Sequence, residues 1–108
     1  MRRFLSRLGV LIVAALVPAG ASAQDKFFDS NGVQMRYIEQ GSGEPIVLVH
    51  GLASSIERSW VETGVFANLA RDYHVIALDS RGHGKSGKPH DPSAYGEEMA
   101  RDVARLLD

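Results

Sequence analysis

Two short aliphatic segments, Ile46-Val47-Leu48-Val49 and Tyr73 to Leu78, restrict the fold of this chain more than any other feature. Both carry β-branched residues and run directly into polar turns: His50-Gly51 after the first, Asp79-Ser80-Arg81-Gly82 after the second. A strand without a polar face is one covered on both faces, as in a parallel sheet. Between them, Val61, Val65, Phe66, Leu69 and Ala70 fall on one side at helical spacing. Ser59, with Glu62 three residues on, matches a capping box, which predicts a helix from near Trp60. Gly64 weakens that helix by up to about 1 kcal/mol. Strand, helix and strand with short links imply a parallel pair joined by a right-handed crossover.

The flanking segments extend this unit. Lys26 to Asp29 and Val33 to Gln40 flank Ser30-Asn31-Gly32, and Asn-Gly supplies the positive φ that a two-residue hairpin turn demands. Val33, Met35 and Tyr37 alternate with Gln34, Arg36 and Ile38, a half-buried pattern with one lapse. Gly41 to Pro45 breaks the chain, and Ser80 to Pro92, with three glycines and two prolines, is expected to be loop. From Tyr95 the spacing of Met99, Val103, Leu106 and Leu107 turns helical again. The predicted class is α/β, a β-hairpin followed by β-α-β-α.

Residues 1–23 have the three-part layout of a secretory signal peptide. Arg2, Arg3 and Arg7 begin it, Leu8 to Val17 is apolar, Pro18 and Gly20 break it, and Ala21-Ser22-Ala23 offers a small-residue cleavage site. As a helix the apolar run would span only about half of a roughly 30 Å bilayer core, so no stable membrane span is expected, and an uncleaved membrane tether is the alternative to a cleaved leader. Cleavage after Ala23 leaves residues 24–108, one small domain, exported to the periplasm or secreted. All 13 acidic residues but only nine of the 12 basic ones lie beyond the leader, giving the remainder a net charge of −4. That balance offers nothing to a nucleic acid or an anionic membrane. The absence of cysteine excludes disulfides and a Cys nucleophile.

Pro45 to Leu52 and Ala77 to Ser86, in this order and at this separation, resemble the N-terminal portion of α/β-hydrolase fold proteins of the serine hydrolase type. The resemblance covers roughly residues 32–108. It implies that the strand ending in His50-Gly51 leads into an oxyanion-hole loop, with the backbone N–H of Leu52 as one donor. Acyl transfer develops negative charge on an oxygen, and amides must already point at it. His50, Gly51, Asp79, Arg81, Gly82, Gly84 and Ser86 are implied to be structural residues beside the site, with Arg81 bonding within its own loop and Ser86 making a turn contact. A small-molecule substrate is implied, and neither a cofactor nor a metal.

Two decoys are set aside. Gly84-Lys85-Ser86 resembles the tail of a phosphate-binding loop, but the glycine required five positions before Gly84 is Asp79. Ser86, His83 and Asp79 lie within one loop, where nothing orients His83 as a base toward Ser86. His74 and His90 read as surface or packing residues, and the four histidines show no metal-ligand spacing. The family's G-x-S-x-G nucleophile turn has no match, since Gly84-Lys85-Ser86-Gly87-Lys88 fails at its last position. These residues are therefore expected to form part of a hydrolase lacking nucleophile, acid and base, and to be inactive alone. In the family's strand order Ile46–Val49 lies between its βαβ partner and the nucleophile strand absent from these residues, so the isolated segment is expected to expose an aliphatic edge with unpaired backbone groups and to be marginally folded. A dehalogenase or epoxide-hydrolase relative with an Asp nucleophile, and a non-catalytic binding module or relic, are the alternatives.

Overall fold

The computed structural model describes residues 23–108. The leader reading falls on residues 1–22 and so lies, apart from Ala23, outside the described residues. Strand β1 (Lys26–Ser30) and β2 (Val33–Gln40) form a hairpin in which Ser30 pairs with Val33. Its turn residues Asn31 and Gly32 have φ of 50° and 91°, as a type I′ turn requires. Strand β3 (Pro45–Val49) runs parallel to β4 (His74–Leu78), with Val47 opposite Ile76. The other side of β4 pairs antiparallel with β2, placing Ile38 opposite Ala77, and the sheet order is β1-β2-β4-β3.

The central strand β4 is the buried one, with Val75 to Leu78 all covered. Val75 and Ala77 join Ile38, Ile56 and Phe66 in the hydrophobic core. The β2 lapse noted above is resolved here. Met35 is buried on one face while Arg36 and Ile38 are buried on the other, so β2 is covered on both sides rather than half-exposed. The aliphatic run of β3 forms the edge expected for this segment of the fold. It lies at the edge of the described sheet, and Val49 is 47% exposed.

The crossover is not the single capped helix that Ser59 and Glu62 suggested. It is a π-type helical turn, Glu57–Val61, followed by helix α1 (Val65–Leu69). Ser59 sits inside that turn, with its hydroxyl 2.6 Å from that of Ser54, while the leading amide, Ile56 N–H, is capped from a distant loop by Asp79 at 2.9 Å. Gly64 separates the two pieces with φ of 83°, a left-handed conformation that ends a right-handed helix. After β4 the chain forms a loop, a 3₁₀ turn at Pro92–Ala94 and helix α2 (Glu97–Leu107), which packs against β1. Glu97 and Glu98 lie in its first turn, where acidic side chains complement the helix dipole. Among the described residues no helix is long and apolar enough to cross a membrane.

Candidate active site

The loops leaving β3 and β4 lie side by side at the C-terminal ends of the parallel strands, the position where open α/β sheets hold ligands. The β4 loop is the rigid member. Asp79 is fully buried, and its carboxylate accepts from Ile56 N–H, Lys85 N–H and the Arg36 guanidinium, each at 2.9 Å. A Cβ on Gly84 would collide with that carboxyl group, so the chain can pass this close only as glycine. Ser86, 2% exposed, donates its hydroxyl to the Asp79 carbonyl at 2.6 Å and accepts from Arg36 N–H at 2.8 Å. The turn that Ser86 makes is thereby tied to β2, and Gly82 closes it by donating to the Gly87 carbonyl at 2.8 Å.

Arg81 does not bond within its own loop as expected. Its guanidinium grips Asp102 on α2 with two bonds of 2.7 Å and donates to the Ala94 carbonyl at 2.7 Å. Asp102 also accepts from the Ser30 hydroxyl at 2.5 Å. Arg81 and Asp102 are both buried; such bidentate pairs combine charge with fixed geometry. The Asp102 carboxylate, lying nearest in bonding terms, raises the Arg81 pKa above its ordinary value.

Arg36, which the sequence pattern presented only as a polar alternation, is the second buried hub. It bonds Asp25, Glu57 and Asp79 at 2.6 to 3.0 Å. Burial opposes its charge, but the bonds to Glu57, Asp25 and Asp79 outweigh burial and hold its pKa above the ordinary range. Lys85 and then Arg36 pull the Asp25 carboxyl below its usual value, and Arg36 does the same to Glu57. A concavity of about 640 Å³ is lined by Asp25, Arg36, Glu57, Lys85 and Phe66 among others. Its charged groups neutralise one another, and it is lined by none of His50 to Ala53, so its chemistry is that of an internal brace.

The β3 loop is held far more lightly. His50, buried, places Nδ1 2.8 Å from the Gly51 carbonyl and Nε2 3.1 Å from Ser80 N–H. These partners assign a neutral ring with its proton on Nδ1, so the 3.8 Å approach of Nε2 to Asp79 is not an ion pair. Ser54 N–H bonds the Gly51 carbonyl at 3.3 Å, closing a turn with Leu52 and Ala53 at its centre. Ala53 has φ of 62° and Leu52 does not share the positive sign, which makes this a type II turn. That conformation costs a residue other than glycine about 1 to 2 kcal/mol. Leu52 is 91% exposed, and among the described residues its N–H has no acceptor.

His83 joins the two loops. Its Nε2 accepts from Ala53 N–H at 3.0 Å, its Nδ1 lies 3.1 Å from the Arg81 carbonyl, and its ring meets that of His50 edge-on at 5.1 Å. The apparent Ser86, His83 and Asp79 triad is dissolved by these bonds, because each member is already committed to the backbone. Among the described residues no group of three or more His, Asp or Glu side chains is placed to hold a metal ion. Sequence reasoning passed over Arg36, Ala53 and Asp102; of these only Arg36 carried a signal, as a charge inside a strand with an imperfect alternation.

The family model of the α/β hydrolase fold matches residues 44–108. The chain is 42% identical over 65 residues to the 2-hydroxy-6-oxo-6-(2'-aminophenyl)hexa-2,4-dienoic acid hydrolase of Metapseudomonas resinovorans, covering 60% of this chain and 22% of that one. It is 47% identical over 79 residues to the soluble epoxide hydrolase of Corynebacterium sp. (strain C12), covering 71% and 26%. The crystal structure of a serine hydrolase involved in carbazole degradation superposes with a TM-score of 0.69 at 33% identity, covering 80% of this chain and 33% of that one. The chain belongs to the α/β-hydrolase fold family and forms the N-terminal part of that fold. It spans about a quarter of the length of the curated relatives it matches.

Proposed function

We propose that the complete protein is an exported serine hydrolase that cleaves an ester, amide or related carbonyl bond of a small molecule through an acyl-enzyme. The Leu52 N–H is one of the two donors to the oxyanion, and His50, Gly51, Asp79, Arg81, Gly82, Gly84 and Ser86 build the frame around it. The observation that carries this reading is a main-chain N–H, without an acceptor among the described residues, on an exposed turn at the carboxyl ends of a parallel strand pair. Preorganised amides of this kind stabilise the charge of a tetrahedral intermediate. Ser86, His50 and His83 are spent on internal bonds, so the nucleophile and its base belong to a part of the fold beyond these residues.

A fluorophosphonate probe applied to the full-length protein tests the nucleophile: covalent labelling is expected, and its absence together with epoxide turnover would favour the Asp-nucleophile reading. That second reading draws support from the 47% identity to an epoxide hydrolase. Leu52→Pro tests the amide directly, because proline suits the first central position of a type II turn yet has no N–H. The expected outcome is a folded protein with kcat lower by about 10² to 10³, the effect of removing one oxyanion donor. Unchanged kcat would remove Leu52 from the mechanism. Export is tested by N-terminal sequencing of the mature protein, expected to begin at Gln24; a mature chain that retains Met1 would overturn it.

A further inference from the structure

We infer that His83 is a positioning residue that selects the conformation of the Gly51–Ser54 turn and so presents the Leu52 amide, an inference that rests on the oxyanion reading above. Types I and II of a β-turn differ by a flip of the middle peptide, here the one joining Leu52 to Ala53. Leucine followed by alanine is ordinarily suited to type I, since type II puts positive φ on the second central residue, a place for glycine. Ala53 nonetheless has φ of 62°. Its N–H points at His83 Nε2, 3.0 Å away; a flipped peptide would turn that N–H to the opposite side and break the bond. The flip would also reverse, by roughly half a turn, the dipole of the peptide that follows the Leu52 amide, changing the field at any anion held there.

The acceptor is itself fixed in place. His83 Nδ1 lies 3.1 Å from the Arg81 carbonyl, its ring edge rests on His50, and the Arg81 side chain is anchored to buried Asp102. A line of bonds therefore runs from helix α2 through Arg81 and His83 to Ala53, in a turn whose other bonds are a 3.3 Å backbone bond of its own and the His50 contact to the Gly51 carbonyl. With a bonded partner for each ring nitrogen, the assigned form is neutral and protonated on Nδ1.

In the full-length protein, His83→Phe keeps a ring against His50 and deletes the acceptor, while His83→Gln returns an acceptor oxygen near the Nε2 position. His83→Phe is expected to lower kcat about tenfold with KM changed less than about twofold, and His83→Gln to restore most of the loss. Exchange of the Ala53 amide hydrogen should quicken at least about tenfold in His83→Phe and stay near the parent rate in His83→Gln. Equal loss in both variants, or parent kcat and parent Ala53 exchange in His83→Phe, would overturn the inference. If His83→Phe fails to fold, nitrogen-15 NMR of the parent protein decides: protonation on Nδ1 upholds the arrangement and protonation on Nε2 refutes it. Full-length protein with neither turnover nor probe labelling would end the oxyanion reading, and the Ala53 exchange rates would still determine whether His83 holds the turn.

Discussion

The loop after β4 and the loop after β3 leave adjacent strands in the same direction, yet they are held in opposite ways. Asp79, Arg81 and Ser86 are buried; Asp79 and Arg81 each make two or more bonds to other parts of the chain, and Ser86 is bonded both to the Asp79 carbonyl and to Arg36 N–H of β2. Gly51, Leu52 and Ala53 are exposed, and the turn they form is fastened by one backbone bond, one bond from His83 and the His50 contact to the Gly51 carbonyl. On the proposed reading, a loop that presents a main-chain amide to a ligand leaves that amide out of its own stability. Part of its rigidity is therefore supplied from next door, by a loop whose buried side chains are themselves bonded.

The sharpest way to break this contrast is Asp79→Ala. It removes the acceptor of two backbone amides and leaves Arg36 short of one buried partner, and should destabilise the full-length protein by about 3 to 5 kcal/mol in urea unfolding. A loss below about 1 kcal/mol would mean that the β4 loop is not the brace. Arg81→Lys keeps the charge but loses the paired geometry on Asp102, with an expected loss of about 1 to 3 kcal/mol by the same measurement. If lysine serves equally well, the anchoring of His83 through Arg81 is not geometric.

Acid should act on the outer partners of Arg36. The pKa values of Asp25 and Glu57 are lowered in the folded state, chiefly by bonds to Lys85 and Arg36 respectively, from ordinary values of 3.8 and 4.5. Their contribution is then complete above those ordinary values and is lost as pH falls through the lowered ones. The urea midpoint should decline progressively below about pH 4.5, and Asp25→Asn with Glu57→Gln should flatten that decline. Leu52→Ala has the smallest expected effect, within about 0.5 kcal/mol in stability and with kcat nearly unchanged, because the side chain is exposed and the proposed role belongs to the backbone N–H alone. A large loss of kcat would shift the role of Leu52 from its amide to its side chain.

Much of this fold was legible in the residues. The Asn31-Gly32 turn, the parallel pairing of the two aliphatic segments and the helical spacing after Tyr95 all express local preferences that neighbouring residues share. The failures have a common physical origin. Ser59 and Glu62 have the spacing of a helix cap, but Asp79, from 23 residues away along the chain, caps Ile56 instead. Ala53 carries no signal of positive φ, since alanine adopts it only when contacts from elsewhere compensate.

The order of residues alone therefore determined the alternation of strands and helices, the glycine-bearing turns and the two loop motifs at the strand ends, because these depend on steric and solvation preferences acting over a few neighbouring residues. Only the tertiary structure decided that Arg36 meets Asp79, that Arg81 grips Asp102 rather than its own loop, and that His83 reaches Ala53. Those pairs join residues 43, 21 and 30 positions apart. They form because desolvated charges and amides must find partners wherever packing has brought them.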